Sequence, residues 1–227
     1  MKKYAVIVAG GAGSRMGTKV PKQFLLLHGK PVLWYTLNVF LDAYEDLEII
    51  LVLPEEHFET GRTILYATHA PHRIRMAAGG STRFHSVQNG LSLIREESVV
   101  FVHDGVRCLL SRALVHRCYE KALRDGSAIP VIDSKDSVRL VTAEGNEAID
   151  RSRVKLVQTP QTFLSGILLA AFKTEYLESF TDEATVVEAS GCKVHLVEGE
   201  VNNIKITTPV DLGIAEKLLG EEESPEK

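Results

Sequence analysis

The sequence predicts an α/β fold: a single doubly wound, mostly parallel, Rossmann-like sheet with a projecting β-hairpin arm. Three observations predict it. First, Tyr4–Ala9 (YAVIVA), Leu47–Leu53 (LEIILVL) and Val99–His103 are continuous apolar, β-branched runs, the pattern of strands buried on both faces in a parallel sheet. Second, helical patterns alternate with these runs at intervals of roughly 20 to 30 residues, which implies right-handed βαβ units. Third, the stretch from Val131 to Arg153 is polar and turn-rich and breaks the alternation.

The elements follow in order. After the first strand come glycines, then a helix over Pro31–Ala43 with proline in its first turn and a stripe of Val32, Leu33, Leu37, Phe40 and Leu41. The second strand precedes a helix over Glu55–Ala67. A short strand over Arg73–Ala78 ends at Gly79-Gly80, and a helix beginning near Thr82 continues through Ser86–Leu93. In the arm, Ser137–Thr142 and Glu147–Ile149 pair as a hairpin around Glu144-Gly145-Asn146. The remainder reads as a strand at Lys155–Gln158, helices near Ser165–Tyr176 and Asp182–Ala189, a strand at Lys193–Glu198, and a helix over Pro209–Leu219 capped by Thr207 or Thr208. Residues 1–220 form one domain, with the arm at about 131–153 inside it, and 221–227 is an acidic tail expected to be disordered.

Bulk properties narrow the function. The chain has 227 residues with a formal net charge of −4, which speaks against a nucleic-acid surface. Three cysteines without CxxC spacing fit a reducing, cytoplasmic location. No apolar run reaches the roughly 18 residues that span a membrane, and the eight histidines show no HExxH spacing.

In sheets of this kind ligands bind at the carboxyl ends of the strands. Three strands end in loaded segments, Gly10–Arg15, Gly79–Arg83 and Asp104–Arg107, which should converge on one cleft. Gly10, Gly11, Gly13 and Gly17 suit a loop whose amides approach a ligand closely. The loop is neither a dinucleotide fingerprint nor a P-loop, since Met16 stands at the third glycine and no GK[ST] follows. Arg15 and Lys22 beside it suit a triphosphate whose negative charge grows under attack. Asp104 closes a buried strand, where a carboxylate is costly unless it is paired or metal-bound.

The run AGGAGSRMGTKVPKQ (Ala9 to Gln23) resembles the signature of the 2-C-methyl-D-erythritol 4-phosphate cytidylyltransferases. Five further segments match in the family's order: GGSTRFHSVQNGL from Gly79, VHDGVR from Val102, DRSRVKLVQTPQTF from Asp150, TDEATVVE from Thr181 and NNIKITTPVDL from Asn202. The resemblance covers nearly the whole chain. It implies a nucleotidyltransferase-type sheet with CTP as co-substrate over the loop Ala9, Gly10, Gly11, Ala12, Gly13, Ser14 and Arg15. Arg15 and Lys22 would stabilise the attacked phosphate. Gly80, Arg83 and Ser86 would take the cytosine and ribose, with Asp104 and Gly105 beside the nucleotide and Asp104 as the Mg²⁺ ligand.

For the acceptor, the resemblance implies Arg107, Arg151, Thr181, Lys205 and Thr207, with Arg151 acting across a homodimer interface. The family's arm threonine is matched by either Ser134 or Ser137, because IDSKDSVR carries extra residues. The proline that usually follows Arg107 is Cys108 here. The expected reaction moves a cytidylyl group from CTP to 2-C-methyl-D-erythritol 4-phosphate. Lys22, Arg15, Asp104, Lys205 and Arg151 would carry the chemistry, with neither nucleic acid nor membrane as partner. Two alternatives stay open: cytidylyl transfer to ribitol 5-phosphate, and a nucleotide-binding module without turnover.

Overall fold

The computed structural model describes residues 1–11, 16–18 and 20–222. Strand β1 (Lys2–Val8) lies between β4 (Leu47–Leu53) and β6 (Ser98–Asp104), parallel to both, and β4 pairs in parallel with β5 (Ile74–Ala78). The register aligns Val8 with Val52 and with Asp104, and Leu53 with Ala78. The three loaded segments therefore leave the sheet side by side. The small strands β2 (Leu26–Leu27) and β3 (Lys30–Pro31) form a separate antiparallel pair.

Alternate side chains of β1 feed opposite faces, as the period of two requires. Ala5 and Ile7 pack on one side with Leu37 and Phe40 of α1 (Val32–Ala43) and with Leu114 and Cys118 of α4 (Arg112–Asp125). Tyr4 and Val6 pack on the other side, with Phe84 and Val87 of α3 (Arg83–Leu91), Leu168 of α5 (Ser165–Ala171) and Val187 of α6 (Glu183–Ala189). Helix α2 (Phe58–Tyr66) covers the sheet near β4 and β5, preceded by a short 3-10 turn at Glu55–His57.

The expected order of elements is present, with three additions to the main sheet and its helices. Helix α4 and strand β7 (Ser127–Asp133) fill a stretch to which the sequence reading gave no element. Their signal is there: Leu114, Val115, Cys118, Tyr119 and Ala122 form a buried stripe, Ser111 caps the start, and Gly126 ends the helix in a left-handed conformation. The third addition, β11 (Gln161–Leu164), inserts antiparallel between β6 and β7. Strand β10 (Lys155–Val157) also runs antiparallel to β7, further along it. The two pieces bracket an interruption at Gln158–Pro160. Strand β12 (Leu196–Glu198) pairs in parallel with β7.

The arm is a hairpin of β8 (Val138–Thr142) and β9 (Gly145–Ile149). Its turn sits one residue earlier than expected, because Thr142 pairs with Gly145 and leaves Ala143-Glu144 as a two-residue loop. Gly145 has φ +144°, a region open to glycine and strained for other residues. The arm is also shorter than expected at its start, since Val131–Asp133 belong to the main sheet. The last helix, α7 (Pro209–Glu222), begins with a reciprocal cap: the Asp211 amide donates to Thr208 Oγ1, and the Asp211 carboxylate accepts from the Thr207 and Thr208 amides. The helix runs two residues into the expected tail. The final residues, 223–227, lie outside the described residues.

Gly90 lets α3 lie close on the sheet. A Cβ there would stand 2.7 Å from Val6 Cγ1 and 3.0 Å from Val52 Cγ2. Gly90→Val should therefore lower the unfolding free energy by about 1–3 kcal/mol, measured by denaturant titration. An unchanged midpoint would show that the helix can lift without loss.

Candidate active site

A cleft of about 380 Å³ opens at the carboxyl ends of β1, β5 and β6. Its lining includes Ala9, Gly10, Gly11, Lys22, Gly80, Arg83, Ser86, Asp104, Lys205 and Thr207. Ten of the expected site residues thus meet in one place. Ala12, Gly13, Ser14 and Arg15 lie outside the described residues.

Each wall is held by short-range contacts. The start of the glycine loop is pinned at Ala9, whose amide donates to Val52 O at 3.0 Å and whose carbonyl accepts from Gln23 Nε2 at 2.8 Å. Gln23 is buried beside Lys22 on the short 3-10 turn Lys22–Phe24, so the same contact holds the buried Lys22 against the loop. The second wall is the turn before α3. Thr82 caps the helix by accepting from the His85 amide, and Ser86 Oγ accepts from Gly80 N and donates to Thr82 O. A side chain at Gly80 would collide with His85, since a Cβ would stand 2.4 Å from His85 Cβ. Gly105 lies behind the loop, with its amide bonded to Val8 O.

The floor is Asp104. Lys205 Nζ lies 3.0 Å from its Oδ2, Arg83 Nε 3.4 Å from Oδ1 and Arg107 Nε 3.7 Å from Oδ2. Burial opposes ionisation of this carboxyl, but Arg83, then Lys205 and Arg107, outweigh it and hold it well below the usual carboxylate range. Arg83 in turn grips the buried Glu183 through Nη1 at 2.5 Å and Nη2 at 3.0 Å. Burial disfavours the charged guanidinium; Glu183 and Asp104 together reverse that and raise its pKa.

The interruption between β10 and β11 supplies the support below the floor. Thr159 Oγ1 accepts from the Asp104 amide at 3.1 Å and bonds His103 Nδ1 at 2.9 Å. Burial pushes the His103 imidazole down to about 3, so it is neutral. Its Nε2 faces Arg107 O at 3.3 Å. Nε2 therefore carries the proton, and the Thr159 hydroxyl donates to Nδ1. Asn203 Nδ2 donates to Thr159 O, Gln158 Nε2 donates to Glu200 O, and Arg107 Nη1 donates to Asn203 O. These bonds dock the segment that carries Lys205.

Four expected acceptor residues stand elsewhere in the single chain. Ser134 and Arg151 line a separate surface depression with Asp133 and Lys155, and Arg151 Nη1 donates to Lys135 O. Ser137 is exposed at the base of the arm. Thr181 is exposed before α6, its amide bonded to Thr185 Oγ1. A fifth, Arg107, is half-buried beside Asp104 and does not line the cleft. Gln23, Thr82, Thr159 and Glu183 were not singled out by the sequence, although all four fall inside the matching segments. Thr82 acts locally, as the cap of α3, whereas the roles of Gln23, Thr159 and Glu183 are visible only through partners distant in the chain.

A doubly wound sheet that gathers a glycine loop, two lysines, an arginine and one buried carboxylate at its carboxyl ends is the frame of a nucleotidyltransferase. The comparisons give the family. The model of the family described as 2-C-methyl-D-erythritol 4-phosphate cytidylyltransferase (IspD) matches residues 4–221. The enzyme of that name from Phocaeicola vulgatus is 48% identical over 96% of this chain and 100% of its own length. The one from Porphyromonas gingivalis is 46% identical over 96% and 98%.

Among solved structures, 4-diphosphocytidyl-2C-methyl-D-erythritol synthase from Anaerococcus prevotii superposes with a TM-score of 0.83 at 30% identity, covering 96% of each chain. The Francisella tularensis cytidylyltransferase gives 0.79 at 32% identity, over 96% and 99%. The chain belongs to the 2-C-methyl-D-erythritol 4-phosphate cytidylyltransferase family. It is a CTP-dependent enzyme, which removes the reading of a module without turnover, and the ribitol 5-phosphate alternative gains no support.

Thr159→Val keeps the shape of the side chain but leaves the Asp104 amide and His103 Nδ1 without a partner. It should cost about 1–3 kcal/mol, read as a fall in thermal midpoint with the overall α/β circular dichroism retained. A midpoint equal to that of the parent protein would mean that Thr159 does not support the floor.

Proposed function

We propose that this chain transfers a cytidylyl group from CTP to 2-C-methyl-D-erythritol 4-phosphate with the cleft residues in the following roles. An oxygen of the acceptor phosphate bonds to the α-phosphorus of CTP, the bond to the β-phosphate oxygen breaks, and pyrophosphate leaves. The nucleophile is already anionic, so no protein base is needed and catalysis consists of positioning and charge neutralisation. Lys22 faces the attacked phosphate, and Arg15, which lies outside the described residues, is assigned the same role from its place in the matching segment. Gly80, Arg83 and Ser86 border the cytidine, while Lys205 and Thr207 hold the acceptor phosphate. The observation that carries this reading is the convergence of Lys22, Lys205 and Asp104 on one cleft from three separate parts of the chain.

Mg²⁺ fits the donor set. Asp104 is an ionised carboxylate at the cleft, and Mg²⁺ commonly takes one or two carboxylates together with substrate phosphates and water. No group of three or more His, Cys, Asp or Glu side chains suited to a metal occurs among the described residues, so Asp104 would hold the ion with nucleotide oxygens and water. When bound, the ion neutralises charge on the phosphates.

The homodimer belongs to the same proposal. Arg151 stands apart from its own cleft, and the arm exposes Val141 (81%) and Leu140 (47%), apolar surface that a second chain would cover. A cytoplasmic location fits a chain in which no described helix is long and apolar enough to cross a membrane.

Lys22→Ala should lower kcat by about 10²-fold or more with the fold intact, measured by pyrophosphate release; near-normal turnover would remove Lys22 from its role. Mixing Lys22→Ala chains with Arg151→Ala chains, each inactive alone, should restore about a quarter of the parent activity through exchanged dimers. No recovery after subunit exchange, or a monomeric mass in light scattering, would rule out Arg151 acting across the dimer interface.

A further inference from the structure

Glu183 is a buried acid at the cleft border to which the proposed reaction gives no role. It opens α6 directly after the capping residue Asp182 and is 1% exposed. A carboxylate in that position carries a large desolvation cost unless it is matched by charge and hydrogen bonds. Its match is Arg83, bound through both terminal nitrogens, Nη1 to Oε1 at 2.5 Å and Nη2 to Oε2 at 3.0 Å. Two parallel bonds of this kind fix the plane of a guanidinium as well as its position.

The consequence falls on Asp104. With its fork held by Glu183, Arg83 offers Asp104 only the side nitrogen Nε, and at 3.4 Å this is a long contact. Asp104 Oδ2 already faces Lys205 and Arg107. Oδ1 is the less occupied oxygen because the fork of Arg83 is turned away from it. Without Glu183, the same guanidinium is free to rotate and take Asp104 with both terminal nitrogens.

We infer that Glu183 is a positioning residue for cytidylyl transfer: by gripping the fork of Arg83 it keeps Oδ1 of Asp104 open to the divalent cation that accompanies CTP. This rests on the reading of Asp104 as the residue that holds that cation. A merely structural role, tying α3 to α6, would give a different result, because losing it would disturb nucleotide binding equally with and without metal.

The test is calorimetric titration of CTP into the full-length protein, with and without saturating Mn²⁺, for the parent and for Glu183→Gln. The variant should bind metal-free CTP within about twofold of the parent and Mn²⁺-loaded CTP about tenfold more weakly. KM for CTP should rise by a similar factor while kcat changes less. Equal weakening in both titrations, or none in either, overturns the inference.

If the parent itself binds CTP no more tightly with Mn²⁺, the reading of Asp104 fails, visibly in the parent alone, and the inference falls with it. Should Glu183→Gln not fold, Glu183→Asp retains the charge but draws the carboxylate back from Arg83. A metal-specific loss of about threefold or more in that variant supports the inference, and no metal-specific loss overturns it.

Discussion

A carboxylate buried at the end of a parallel strand is expensive to keep ionised, and in this protein Asp104 imposes that cost on its surroundings. Lys205, Arg83 and Arg107 meet it from the C-terminal segment, from the start of α3 and from the loop after β6. Each of these cations needs its own anchorage, so the constraint spreads outward. Arg83 calls for Glu183, Arg107 calls for the carbonyl of Asn203, and Asn203 leans on Thr159. The catalytic floor is a charge-compensated network in which backbone carbonyls and a neutral histidine serve as fixed dipoles. Such networks rigidify a site to the extent that their members are satisfied; here Arg107 Nε and Asn203 Oδ1 are buried without a hydrogen-bond partner among the described residues.

The same arrangement explains why the glycine loop alone defines so little. Its described part, Ala9 to Gly11, offers backbone and no side-chain chemistry beyond shape. What turns the cleft into a site for anion transfer is the pair of lysines brought to its lining: Lys22 through the bond of Gln23 to Ala9, Lys205 through the docking of residues 200–206 onto the loop after β6.

Much of this was legible in the sequence, and the limits have physical causes. The central strands declare themselves because a strand buried on both faces is apolar through its middle, as β1 is over Tyr4–Val8, β4 over Ile49–Leu53 and β6 over Val99–Val102. Helix α4 carries an equally clear stripe between Ser111 and Gly126. Strand β11 is different. Four residues after a proline hold too short a pattern to read, and its antiparallel direction is decided by its neighbours β6 and β7.

The cleft lining was legible for the same reason the family was: Lys22, Asp104 and Lys205 sit in segments whose residue types already imply phosphate chemistry. Glu183 and Thr159 were not, because an acid or a hydroxyl becomes informative only once Arg83 or His103 is known to face it. The acceptor residues Ser134, Ser137, Arg151 and Thr181 do not line the cleft of the single chain, and for Arg151 the family resemblance implies action from a second one.

The pairing of Asp133 with Lys155 across β7 and β10, reinforced by their ion pair, ties off the arm at its root. Everything between those two residues is a closed loop as far as the main sheet is concerned. Its length can change with only a small entropic cost, and the register that places Gln158 and Thr159 under the catalytic floor stays as it is. The additional residues in IDSKDSVR fall just inside that boundary. A change of length within the arm is therefore absorbed there and does not shift the floor that lies beyond its root.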